Sequence, residues 1–143
     1  MKVYSAKACS MSFANIQLSG WADGDFVSID NESDAYGDVV GTDGEVTRWE
    51  SNDDRGNVIL TLMQSSSTND QLSALHQLDK LSVNGAGIGS FYFKDTNGTS
   101  AYSGEAAWIV KPPKADFGRE AKPREWHIRV AKLKRVDGSN TGT

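Results

Sequence analysis

Asn57-Val58-Ile59-Leu60-Thr61-Leu62-Met63 is the stretch from which the fold is read. Its apolar side chains fall on both faces of an extended chain, and the run is too short for a helix of its own. It therefore predicts a strand covered on both sides, at the centre of a β-rich core. Directly after it, Thr68 precedes Gln71 by three residues, the spacing of a capping box, and Leu72, Leu75, Leu78 and Leu81 follow along one helical side. That pattern predicts one amphipathic helix over about residues 69–81, and no other segment of the chain carries a comparable one.

Outward from this pair, short apolar segments alternate with turn residues. Phe13, Ile16 and Leu18 predict a first strand, and residues 25–30 a second, with Phe26 and Ser28 facing away from Val27 and Ile29; residues 21–24 form the turn between them. Past Asn84 and Gly85 come Phe91, Tyr92 and Phe93, then a hairpin signal at residues 95–99 and a strand through Ala106, Trp108 and Val110. Pro112 and Pro113 stop that strand because neither can donate a ladder hydrogen bond. Trp126, Ile128 and Val130 alternate as the last strand, and residues 137–143, small and polar, are expected to fray. Many short strands with one helix give a mainly β fold, a β-sandwich or small β-barrel with one flanking α-helix, in a single domain of 143 residues.

Residues 31–57 break this pattern. They are polar and glycine-punctuated, yet Asp38-Val39-Val40-Gly41 and Glu45-Val46-Thr47-Arg48-Trp49 flank Thr42-Asp43-Gly44, and Asp-Gly between apolar runs is a hairpin signal because both positions tolerate positive φ. The expectation is a long protruding hairpin arm with too little apolar content to hold it on its own body, to be ordered by a partner. Trp49, at the base of the arm, is assigned to an interface; Trp108 and Trp126 are assigned to the core.

Charge is unevenly spread. Residues 1–56 carry eleven carboxylates against four cations, whereas residues 111–136 carry nine cations, Lys114, Arg119, Lys122 and Arg124 among them, against three carboxylates. Either the two regions neutralise one another within the fold or they meet between copies of the chain.

Signatures of catalysis are missing from the sequence. His76 and His127 stand apart from any metal-ligand spacing, Cys9 is the only cysteine, and no G-x-S-x-G elbow occurs. The run Gly85-Ala86-Gly87-Ile88-Gly89-Ser90 has a helix before it and a strand after it, the reverse of a phosphate-binding loop. The acidic pairs Asp53/Asp54 and Asp23/Asp25 lie in turn-like segments with no apolar surroundings to raise a carboxyl pKa. No signal-peptide core or membrane span is present, so the sequons at Asn31 and Asn97 carry no meaning, and membrane insertion is not expected. The expectation is a protein without enzyme activity, cofactor or metal, made in a reducing cytoplasm.

Three stretches taken together, Val39 to Arg48, Ile59 to Leu72, and Trp108 to Pro112 continuing through Arg124-Glu125-Trp126, resemble tail tube proteins of contractile-tailed bacteriophages in their order and spacing. The resemblance implies a subunit that forms hexameric rings stacked into a hollow tube for DNA delivery, with the arm helping to join successive rings. It implies as partners further copies of the chain, the tail sheath, the baseplate and a tail terminator, with DNA passing through unbound and the protein residing in the virion tail. On that view the inter-subunit contacts fall on Asp38, Val39, Val40, Asp43, Glu45, Arg48 and Trp49 of the arm and on Lys114, Arg119, Lys122 and Arg124 of the basic stretch. Asp53 and Asp54 are the candidates for an acidic lumen wall that repels phosphates. Two other readings remain open: a tube subunit of an R-type bacteriocin or type VI secretion-like injection machine, and a carbohydrate-binding β-sandwich displaying tryptophans.

Overall fold

The computed structural model describes residues 4–22 and 24–139. In chain order the elements are β1 (Cys9–Phe13), β2 (Ile16–Gln17), β3 (Val27–Asn31), β4 (Tyr36–Val40), β5 (Val46–Glu50), β6 (Gly56–Leu62), α1 (Thr68–Leu81), β7 (Gly89–Asp95), β8 (Ala101–Lys111), β9 (Arg124–Val130) and β10 (Lys134–Val136). The main sheet runs β2-β1-β7-β8-β9-β6-β3, with β10 added to β8; β4 and β5 form a separate two-stranded sheet. The end strands β2 and β3 do not pair, so the sheet is not a closed barrel. Its two halves face one another like a sandwich. Met11, Phe13 and Phe91 from one half meet Val58, Leu60, Leu62, Trp126, Ile128 and Val130 from the other in one core.

Strand β6 lies inside the sheet between β3 and β9, as its composition requires. Val58, Leu60 and Leu62 are fully buried. The other face is covered only in part, because Ile59 sits between the polar cross-strand neighbours Ser28 and His127. Val27 and Ile29 share the inner face of β3, with Ser28 exposed, as the alternation predicts.

Four features depart from the sequence reading. Phe13 and Ile16 belong to two strands, not one, because Ala14 (φ 51°) and Asn15 (φ 67°) form a tight two-residue turn with positive φ at both positions. In β8 the expected faces are reversed. The three residue steps of β8 from Gly104 to Ala107 span the same ladder distance as the two steps of β7 from Gly89 to Phe91, and a second irregularity follows Ile109 opposite β9. These bulges turn Gly104, Ala107 and Ile109 inward, leaving Trp108 half-buried and Val110 exposed, so Trp126 is a core residue and Trp108 is not.

The helix forms, but no capping box does. Thr68 turns its hydroxyl to accept from the Ser19 N–H (3.2 Å), while Ser66 Oγ accepts from the Thr68 N–H. Asn69 fastens the helix to the core by accepting from Trp126 Nε1 at 3.0 Å. Only the first part of the leucine side is used: Leu72 is fully buried, Leu78 is 53% exposed and Leu81 84% exposed. Finally, the residues after β9 are tied down. Strand β10 pairs with β8, Asp137 accepts from Tyr102 Oη (2.7 Å) and Arg135, and Gly138 and Ser139 bond to Ser100 and Thr99. The rest of the expected frayed tail, 140–143, lies outside the described residues.

The arm joins the body through two strips of chain, 32–35 and 51–55, running side by side. Glu32 N–H donates to Arg55 O (2.9 Å) and Ser51 N–H to Ala35 O (2.8 Å). The Asp53 carboxylate binds Arg55 in a two-pronged contact, both bonds 2.8 Å, and accepts from Ser33 Oγ across the strips at 2.6 Å. Below this clamp Arg129 of β9 reaches Glu32 at 3.1 Å. The Arg55 guanidinium, then the Ser33 hydroxyl and the Arg55 backbone N–H, hold the Asp53 carboxyl well below the usual carboxylate range.

Two outcomes follow from this packing. Leu72→Ala should cost about 2–5 kcal/mol in urea denaturation, whereas Leu81→Ala should stay within about 0.5 kcal/mol of wild type. Asp53→Asn should raise amide exchange across β4 and β5 at neutral pH and leave β6 and β9 unchanged. Because the folded-state pKa of Asp53 is depressed, its contribution is complete above the unfolded value of about 4 and is lost as pH falls below it. The gap in arm protection between wild type and Asp53→Asn should therefore narrow on acidification.

Candidate functional site

The most exposed apolar surface of the ordered strands is on the arm. The β4–β5 register sets Val40 opposite Val46, Asp38 opposite Arg48 and Gly37 opposite Trp49. Period-two alternation then places Tyr36, Asp38, Val40, Val46 and Arg48 on one face and Gly37, Val39, Thr47 and Trp49 on the other. Both faces thus carry apolar groups, and among the described residues nothing buries them: Val39 is 58% exposed, Val40 61%, Val46 60% and Trp49 55%.

The arm is nevertheless a defined shape. Gly44 takes φ +85° in the turn, Asp43 Oδ1 accepts from the Glu45 N–H (3.1 Å), and Gly41 N–H donates to Glu45 O (2.8 Å). Arg48 lies over the Tyr36 ring, 4.1 Å from its centroid. The Trp49 ring occupies the space above Gly37, where an added Cβ would lie 2.0 Å from it. A two-stranded hairpin is marginal in water by itself, and these contacts with the Asp53 clamp are what this one has.

The basic stretch forms the connector between β8 and β9. Lys114 lies 3.9 Å from Asp116, and Arg124 stacks over Phe117 and donates to Asp116 O. Lys122 N–H donates to Gln64 Oε1 (3.1 Å). The cationic groups of Arg119 and Lys122 make no ion pair among the described residues. Among the described residues no hydrogen bond or ion pair joins the arm to this connector. Part of the charge asymmetry is absorbed internally, through Glu32 and Arg129. Asp53 is committed to the clamp, whereas Asp54 is exposed.

One feature had no signal in the sequence, because five separate stretches of chain build it. A groove of about 940 Å³ opens between residues 21–22, 24–27, 63–65 and 121–123, with Tyr4, Ala6 and Phe93 also in its lining. Trp21 and Phe26 pack together within it, ring centroids 5.2 Å apart, beside Met63 and Pro123, with Lys122 on the lining.

The catalytic alternatives find little in the geometry. His127 of β9 lies beside Glu125 (3.1 Å), and His76 is on α1; no hydrogen bond joins the two among the described residues. No group of three or more His, Cys, Asp or Glu side chains among the described residues could hold a metal ion. Burial pushes the Cys9 thiol up, which disfavours the thiolate. In the glycine run, Gly87 N–H donates to Asp79 Oδ1 (3.2 Å), so a carboxylate occupies the place a phosphate would need. None of the four tryptophans stacks on another among the described residues.

Comparison with known proteins agrees with this picture. Structural protein ORF10 of Pseudomonas phage KPP10 is 28% identical over 123 residues, spanning 86% of this chain and 71% of that protein. The fold is similar to the tube terminating cap of the anti-feeding prophage (TM-score 0.60, 8% identity, 95% of this chain and 92% of that one). It is also similar to a chain of the PVC sheath/tube terminator of an extracellular contractile injection system (TM-score 0.60, 10% identity, 96% and 99%). A chain of the PVC sheath-tube complex gives a TM-score of 0.58 at 10% identity, covering 94% and 91%. The sequence profile of the bacteriophage PhiTE tail tube proteins matches residues 4–138, and the chain accordingly belongs to that tail tube family.

Proposed function

We propose that the protein is a tube subunit of a phage tail, closing into hexameric rings that stack into a hollow conduit for DNA delivery, and acting by assembly rather than catalysis. The observation that carries this reading is the arm: a clamped, shaped hairpin whose valines and tryptophan stay more than half exposed on the isolated chain. Such a surface needs cover, and further copies of the chain supply it without limit. A contact between unlike patches that returns on itself closes a ring; a second that never closes makes a filament.

In this reading the acidic arm meets the basic connector of another subunit, through Asp38, Asp43 and Glu45 against Lys114, Arg119 and Lys122. Tail sheath, baseplate and terminator proteins bind the outside and the ends, and the mature protein resides in the virion tail. DNA slides along a wall with carboxylates such as Asp54, which repel its phosphates. Asp53, neutralised by Arg55, contributes less to that wall. A second reading, supported by the likeness in fold to extracellular contractile injection systems, is a tube subunit of an R-type bacteriocin or type VI secretion-like injection machine. Gene neighbours encoding a capsid and terminase would decide for the phage.

Electron micrographs of concentrated protein should show rings or hollow rods of uniform width. Arg119→Glu combined with Lys122→Glu should abolish the rods while leaving the circular dichroism spectrum and melting temperature of the monomer unchanged. Normal rods from this variant would refute the arm–connector pairing.

A further inference from the structure

The arm and the groove are complementary within one chain yet do not meet in it. The groove lining contains no residue of the arm. Its walls are apolar, built on Trp21, Phe26, Met63 and Phe93, and one rim is residues 121–123 of the basic connector. The arm tip presents Val39, Val40 and Val46 beside Asp43 and Glu45. Across residues 36–50 four carboxylates stand against Arg48 alone; across residues 111–124 five cations stand against Asp116 and Glu120. Asp25 is the one carboxylate among the described lining residues, so Lys122 sets the sign of the connector rim.

We infer that the groove is the receiving site for the arm tip of a second copy of this chain, with the valines seated against Trp21, Phe26 and Met63 and with Glu45 facing Lys122. This rests on the tube reading and adds to it the surface on which the arm lands. It also gives Met63, 51% exposed just past the end of β6, a partner. The clamp at Asp53 then has a mechanical role: it holds the arm at a fixed angle to the body, so that the tip arrives in register with the neighbouring groove.

The test is photo-crosslinking between copies. A benzoylphenylalanine is placed at position 40, or at 39 if that variant does not assemble, and isotopically labelled and unlabelled chains are mixed, assembled, irradiated and mapped by mass spectrometry. Mixed-label crosslinks to the groove lining, at residues 4, 6, 21, 22, 24–27, 63–65, 93 or 121–123, are expected. Crosslinks confined to other segments would overturn the groove assignment while leaving the tube reading standing; failure of wild-type protein to form any rod would instead sink the tube reading. Charge reversal gives an independent result. Lys122→Glu alone should cut the sedimenting fraction about tenfold and Glu45→Lys in the same chain should restore it; no restoration counts against the Glu45–Lys122 contact.

Discussion

Strand β8 has two sets of neighbours to satisfy along its eleven residues. Its first half pairs with β7 on one side and β10 on the other, while its second half pairs with β9. A flat strand could not do this and also keep one apolar face turned to the core. The two irregularities in its ladder bend it and reset its alternation, so that Gly104, Ala107 and Ile109 all point inward. Through that bend one sheet folds over on itself, bringing Phe13 and Phe91 against Leu60 and Trp126. Everything else is mounted on this sandwich: the helix through Leu72 and Asn69, and the arm through the Asp53 clamp and Arg129.

The same constraint explains what the sequence disclosed and what it hid. Strand β6, the helix and the Asp-Gly turn were legible because each is specified locally, by continuous apolarity, by leucine spacing and by a residue pair that accepts positive φ. Trp108 was misplaced because a bulge shifts alternation without leaving a mark on composition. The Ala14–Asn15 turn escaped notice because alanine has no preference for positive φ, and only the pairing of Phe13 with Ile16 enforces it. Strand β10 is three residues long and takes its identity from β8. The candidate arm residues were visible as a hairpin with nothing to pack on. The groove was not, since Trp21, Met63 and Pro123 come together only when the chain is folded.

The arm and the far end of the helix share a physical oddity, which is large apolar side chains left in water by a chain that buries its core well. On the arm those side chains sit on a hairpin braced by Trp49 over Gly37 and by a two-pronged ion pair, which is how a surface meant for contact differs from a loose loop. Edge strands and apolar hairpins are hazards in a monomer and assets in a polymer, where each is covered by the next subunit. Opposite charge on arm and connector adds direction, favouring head-to-tail contact over pairing of like surfaces.

The central claim is that surfaces left open on one copy are closed by another. A cryo-electron microscopy reconstruction of the polymer, at a resolution that traces side chains, measures this directly. The account predicts Val39, Val40 and Val46 buried against a neighbouring subunit; an ordered polymer in which all three remain in solvent would contradict it.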